Sequence, residues 1–222
     1  MLDLIDGLNI QYGAGWAAPH GWLNFDNSPS VRIERLPLLG RFLMVNATRF
    51  PDRILYGDII RGLPVDASCA KAIYASHVLE HLAYNDCRKA LANTYNILKP
   101  GGVFRLIVPD LRERTQRYFT ALDNGESAAA DDFCRSTLFG VSDRPKGIAG
   151  MIRSMLGNSH HLWMYDEGSM MRVLNDTGFV AIRRCRFGDA EDPDFKMVED
   201  ESRFFDAACN IAELALEARR PR

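Results

Sequence analysis

Residues 8–15 read LNIQYGAG, a short apolar run from Leu8 to Tyr12 that breaks directly into Gly13-Ala14-Gly15. A strand ending in a glycine turn lets backbone approach a ligand closely, because glycine has no Cβ and tolerates left-handed dihedrals. Leu23 to Phe25 form a second short strand that ends at Asp26, with Asn27, Ser28 and Pro29 as turn residues. A carboxylate in that place can accept both hydroxyl protons of a ribose. The interval from Gly13 to Asp26 is shorter than the roughly 20 residues of a dinucleotide fingerprint, and a third glycine would fall at Ala18. The first connection is therefore expected to be abbreviated, with the loop Trp16 to Gly21 in place of a full helix.

Moving outward, Ile54–Tyr56 before Gly57-Asp58 reads as a third strand and Ala70–Ser76 (AKAIYAS) as a fourth. Ala90, Leu91, Tyr95 and Leu98 recur at helical spacing, which predicts a helix over 86–98 capped by Asp86 and stopped by Lys99-Pro100-Gly101-Gly102. VFRLIV, residues 103–108, is a buried central strand closed by Pro109-Asp110. Residues 111–123 are helical. A further helix opens at Tyr165-Asp166, buries Met170, Met171, Val173 and Leu174, and stops at Thr177-Gly178. Phe179–Phe187 is a strand whose Arg183, Arg184 and Arg186 read as a solvated face, and Leu214–Ala218 is the last strand. Residues 31–52, 124–160 and 188–204 are less regular, and 124–160 is a candidate acceptor-side insertion or lid. Strands alternating with helices predict a parallel α/β sheet in a single domain over 1–222. Gly13, Asp26, Asp58, Ser76 and Asp110 each follow a strand directly, so they should share the sheet edge where such folds bind ligands.

Composition agrees with an ordinary globular chain: of 222 residues 47% are hydrophobic, with 27 basic against 29 acidic side chains and a formal charge of -2. That balance offers phosphate backbones no general attraction, so no nucleic-acid partner is expected. The five cysteines include no C-x-x-C pair, which disfavours a disulfide scaffold or a cysteine zinc site. The first residues, MLDLIDGLNI, lack the basic flank of a signal peptide, and no run approaches the roughly 18 apolar residues of a membrane span. A cytoplasmic protein is expected.

LNIQYGAG, GWLNFD, GDI, YASHVLEHL, LKPGG and VFRLIVPDL, in that order over residues 8–111, resemble a class I S-adenosylmethionine-dependent methyltransferase of the type 11 group. A fainter echo lies in HLWMYDEGSMMRVLNDTGF and LALEARRP. The resemblance implies a Rossmann-like, doubly wound, mostly parallel seven-stranded sheet with helices on both faces. It implies S-adenosyl-L-methionine as cofactor, with Gly13 and Gly15 against its methionyl part and Asp26 on the ribose hydroxyls. Asn27 would lie beside the adenine, Asp58 and Ile59 at the adenine amine, and Ser76 and His77 near the sulfonium. The chain departs from the group at Gln11-Tyr12, where Gly-Cys is commoner.

His77-Val78-Leu79-Glu80-His81 also spells H-x-x-E-H, the pattern of a zinc hydrolase that would need both imidazoles on one helix. His77 follows a strand, so no metal is assigned. His160-His161, beside Trp163 and Tyr165, reads either as an acceptor pocket with aromatic walls or as an exposed loop with packing aromatics. His77 and His161 are the candidate bases for a small-molecule acceptor, whose identity the sequence leaves open. The alternative is a non-catalytic cofactor-binding or partner protein of the same fold.

Overall fold

A computed structural model describes residues 7–36, 49–140 and 160–222. Seven strands form one sheet: β1 (Leu8–Tyr12), β2 (Trp22–Asp26), β3 (Ile54–Tyr56), β4 (Ala70–Ser76), β5 (Leu98–Val108), β6 (Val180–Arg184) and β9 (Leu214–Arg219). Their order is β3-β2-β1-β4-β5-β9-β6, with β9 antiparallel to both neighbours and the other described pairings parallel. A two-residue hairpin, β7 (Phe205–Asp206) with β8 (Ile211–Ala212), stands apart. The helices are α1 (Pro29–Glu34), α2 (Tyr84–Ile97), α3 (Leu111–Asp123), α4 (Ala129–Ser136) and α5 (Glu167–Thr177), with 3-10 turns at Leu79–His81, Pro193–Met197 and Glu201–Arg203.

The period-2 alternation of the central strands divides the core. Ile73, Ala75, Phe104, Leu106 and Val108 face Cys87, Ala90 and Leu91 of α2 and Met170, Val173 and Leu174 of α5. Ala72, Tyr74, Val103 and Ile107 face the other way, onto Trp22, Cys185, Phe195 and Val198. The segment 188–204, read from sequence as an acidic loop, therefore covers a sheet face through its two 3-10 turns.

Several boundaries differ from expectation for identifiable reasons. Helix α2 begins at Tyr84, and its N-cap is Ala83 with no side-chain cap; Asp86 lies in the first turn and pairs with Lys89 at 2.8 Å. LKPGG does end α2, but it belongs to β5. Leu98 pairs with Ala70 and Val103 with Ala72, so the intervening residues bulge. Gly102 is needed there, since a Cβ would lie 2.9 Å from Lys99 O and 3.1 Å from Ala70 O. The span 124–160 contains α4, while 141–159 falls outside the described residues, so the lid reading is placed only in part. The arginines of β6 do stand on a partly solvated face, and they are also ion-paired: Arg183 with Glu217 and Asp189, and Arg184 with Asp110 and Glu167. The expectation that β1 joins β2 without a helix holds, since 13–21 is loop and turn.

Candidate active site at the carboxyl edge of the sheet

Strand order reverses between β1 and β4, which is where open α/β sheets bind ligands. Tyr12 pairs with both Phe25 and Ala75, and Asp26 with Tyr56, so these strands end level with one another. Beyond their ends lies a cavity of about 440 Å³ lined by Gly13, Gly15, Asp26, Asn27, Asp58, Ile59 and His77, together with Val78, His81 and Leu82. Seven of the eight residues assigned to the cofactor from sequence therefore meet in one place.

Each has a local reason to be there. Gly13 has φ +69°, and a Cβ would sit 2.1 Å from Val78 Cγ2, so only glycine permits this approach. Gly15 has φ +55° and nothing within 4 Å of where a Cβ would be, which leaves its cavity side open. Asp26, nearly buried, braces the turn by accepting from Gly15 N and Ser28 N, each at 2.8 Å. One oxygen takes each bond, so both keep lone-pair capacity. Asp58 likewise accepts from Ile60 N at 2.9 Å.

Ser76 is the exception. Arg203 Nε donates to its hydroxyl at 3.3 Å, and Ser76 lines a neighbouring 320 Å³ cavity with Gln11, Tyr74 and Arg203. Asp110 also leaves the ligand edge: it caps α3 by accepting from Arg112 N and pairs with Arg184. Gln11 and Tyr12 are accommodated without disturbing the loop. Gln11 Nε2 donates to Ala17 O, and the buried Tyr12 hydroxyl accepts from Thr94, burial raising its pKa.

A larger cavity of about 1090 Å³ adjoins the first and is lined in part by His77, Arg114, Arg117, His161, Arg203 and Glu213. His77 borders both. Its φ of +53° is a conformation that side chains rarely adopt, and it swings the ring off the end of β4. Arg114 builds the far wall by gripping Glu213 through two hydrogen bonds of 2.9 Å and reaching Asp206 of the hairpin at 3.2 Å. Nothing in the sequence flagged this pair, because its members stand 99 positions apart.

His161 is buried rather than an exposed loop residue, and burial lowers its pKa, with Glu80 opposing. It arrives beside His81, ring centroids 5.1 Å apart, because Leu162 N and Trp163 N both donate to Glu80 O. The aromatic-wall reading fails: neither Trp163 nor Tyr165 lines the large cavity, and Trp163 packs on Tyr84 at 4.8 Å. The hydrolase reading fails too. His77 is not helical, and Leu79–His81 is a single 3-10 turn, so the two imidazoles do not stand on one α-helix.

Residues 32–106 match the family model for a methyltransferase domain. The match begins within α1, takes in β3, β4 and α2 and ends inside β5; it includes Asp58, Ile59, His77 and His81 of the smaller cavity's lining but not Gly13, Gly15 or Asp26. Over those residues the chain is similar to a methyltransferase domain. No curated protein matches the sequence. Among solved structures, it is similar to a Haloferax volcanii methyltransferase in complex with its methyltransferase activator (15% identity, TM-score 0.49, 98% of this chain and 84% of that one). A Thermotoga maritima methyltransferase aligns at 14% identity and TM-score 0.49, over 96% of this chain and 82% of that one. Haemonchus contortus phosphoethanolamine N-methyltransferase 2 aligns at 13% and 0.47, over 97% and 49%. Among the described residues no helix is long and apolar enough to cross a membrane.

Proposed function

We propose that this chain is an S-adenosylmethionine-dependent methyltransferase that holds the cofactor in the 440 Å³ cavity and a small-molecule acceptor in the 1090 Å³ cavity, with His77 at their junction. The observation that carries this reading is the convergence of Gly13, Gly15, Asp26, Asn27, Asp58 and Ile59 on one cavity at the strand-order reversal. The open side of Gly15 and the free lone pairs of Asp26 suit a ligand with a ribose and a flexible charged tail. Asp26 takes the ribose hydroxyls, Asn27 and Ile59 flank the base, and Asp58 accepts from its amine.

The cofactor supplies an activated sulfonium methyl, so the protein's own task is alignment and exclusion of water. His161, its pKa lowered by burial, lines the larger cavity and is the imidazole assigned as a neutral base for an acceptor proton. The larger cavity is roomy enough for a drug-sized acceptor, since typical small-molecule pockets run from about 300 to 1,000 Å³. Its lining mixes Arg117 and Arg135 with Asp132 and Glu201, which favours a polar acceptor over a purely apolar one.

Calorimetry with S-adenosylhomocysteine tests the assignment. One-to-one binding is expected, weakened about tenfold to a hundredfold in Asp26→Ala, the range that loss of a charge-assisted hydrogen bond implies. Absence of binding to the wild-type protein would overturn the reading. Binding without transfer to any acceptor in a mass-spectrometric screen would favour a non-catalytic role.

A further inference from the structure

The 320 Å³ cavity adjoins the 440 Å³ one and shares Tyr12, Gly13 and Gly15 with it. Its other walls gather residues from three parts of the chain: Gln11 of β1, Tyr74 and Ser76 of β4, and Val198, Asp200 and Arg203 of the segment that covers the sheet face. Gln11 pairs with Tyr74 across the parallel strands, and period-2 alternation puts Ser76 on the same face. The covering segment is held there by Phe195, whose ring packs against Trp22 and Tyr74. Asp200 then caps the turn Glu201–Arg203, and His77 Nε2 donates to Arg203 O at 3.0 Å. A cation from late in the chain is thereby set at the end of β4, 127 positions from the serine it meets.

Two groups in this pocket have capacity to spare. Gln11 is 4% exposed, and its Nε2 donates to Ala17 O at 3.4 Å, which leaves its buried Oε1 an acceptor without a partner. Gln11 is also one of the two positions at which the chain departs from the group it resembles. Arg203 donates from Nε to Ser76 Oγ at 3.3 Å and from Nη2 to Ser76 O at 3.4 Å, and it makes no ion pair among the described residues. Most of its five N–H donors remain free. Asp200 feels the charge of Arg203 but spends its Oδ1 on Ser202 N and Oγ, at 2.9 and 2.8 Å.

We propose that Gln11 and Arg203 form a recognition site for an α-amino acid group, Arg203 donating to the carboxylate and Gln11 Oε1 accepting from the ammonium. The parallel N–H groups of a guanidinium match the two oxygens of a carboxylate, and an ammonium offers only donors. Resting on the methyltransferase reading, the group is the amino acid tail of the cofactor, whose nucleoside takes the adjoining 440 Å³ cavity. Fixing both ends of the cofactor holds the sulfur between them in place for transfer. Neither Gln11 nor Arg203 lies in the matched stretch 32–106, so this half of the site belongs to the parts of the chain outside it. Arg203 also lines the 1090 Å³ cavity, which makes a carboxylate on the acceptor the other source of the same chemistry; the walls shared at Gly13 and Gly15, and the acceptor atom of Gln11, favour the cofactor.

Calorimetry with two ligands tests the site: S-adenosylhomocysteine, and methylthioadenosine, which keeps the nucleoside and the sulfur but lacks the amino acid. Arg203→Ala should weaken S-adenosylhomocysteine by about tenfold to a hundredfold, the range for a lost charge-assisted hydrogen bond, and leave methylthioadenosine unchanged. Gln11→Leu should act in the same direction. Equal weakening of both ligands is what a merely structural role would give, and it overturns the proposal. Unchanged S-adenosylhomocysteine binding in Arg203→Ala overturns it too and hands the arginine to the acceptor. Should Arg203→Ala misfold by circular dichroism, Arg203→Gln decides on the same criterion. Failure of the wild-type protein to bind either ligand sinks the cofactor reading itself, whereas equal affinity for both sinks only the amino acid site.

Discussion

Arg105 and Glu80 are both buried ionisable side chains, and the fold treats them in opposite ways. Arg105, in the middle of β5, is 1% exposed; its Nε donates to Glu199 at 2.8 Å, and its Nη1 to Glu217 at 2.7 Å and Asp189 at 3.1 Å. Its Nη2 reaches Arg186 O at 3.0 Å. Glu80 is 0% exposed and accepts nothing. Removing a charge from water is costly, and a fold tolerates it only where partners replace the lost hydration. The Arg105 group meets that condition within the chain, tying β5, β9 and the segment 186–199 together. The Glu80 group is held more loosely: His77 Nδ1 lies 3.4 Å and His81 Nε2 3.9 Å from Oε1, and neither carboxylate oxygen accepts a hydrogen bond.

The harshest way to break the contrast is to empty the saturated network. Arg105→Leu leaves Glu199 buried without its cation and Glu217 with Arg183 alone. Removing one partner of a buried ion group costs about 3–5 kcal/mol. The urea midpoint should fall accordingly, with little change in slope if unfolding remains two-state. A loss under about 1 kcal/mol, the ordinary range for surface substitutions and weak contacts, would mean the network is not what holds the segment 186–199 on the sheet.

The same contrast explains what could be read in advance. The smaller cavity was legible because its residues are local: Gly13, Gly15 and Asp26 sit at strand ends within one β-turn-β unit, and period-2 alternation found those strands. The larger cavity was not. His161 meets His81 across 80 positions, through backbone bonds to Glu80 that leave no pattern in the side chains. Arg114–Glu213 and Arg105–Glu217 are pairs of the same long-range kind. Asp110 misled for a complementary reason: an acid after a strand is equally good as the cap of the next helix, and α3 uses it so. HxxEH matched letter for letter while its backbone was a strand end and a 3-10 turn, so the spacing carried none of the helical geometry it implies.

Glu80→Gln sharpens the comparison from the unsaturated side. The carboxylate accepts no hydrogen bond that would be lost, and an amide of the same shape keeps one oxygen and brings an NH₂ group beside His77 and His81. Thermal and urea unfolding should therefore change by no more than about 1 kcal/mol, in either direction, against the larger loss for Arg105→Leu. A drop comparable to Arg105→Leu would show that Glu80 is structural after all.

The smallest effect is a change in slope with pH. Burial alone would raise the pKa of Asp189, but the Arg186 amide and the guanidinium groups of Arg183 and Arg105 outweigh it, and the net shift is downward. Above the ordinary aspartate value of about 3.9 both folded and unfolded states are ionised, and the contribution to stability is fully present. As pH falls through that value the unfolded chain takes up a proton first, so stability declines until the lowered folded pKa is passed. Asp189→Asn should be less stable at neutral pH and show a shallower decline below about pH 4, where the wild type loses what the substitution has already removed. Asp189 is partly open to solvent, so the difference should be modest, and denaturation curves between neutral and acid pH can read it. Parallel acid limbs for the two proteins would detach Asp189 from the Arg105 network and confine the saturated group to Glu199 and Glu217.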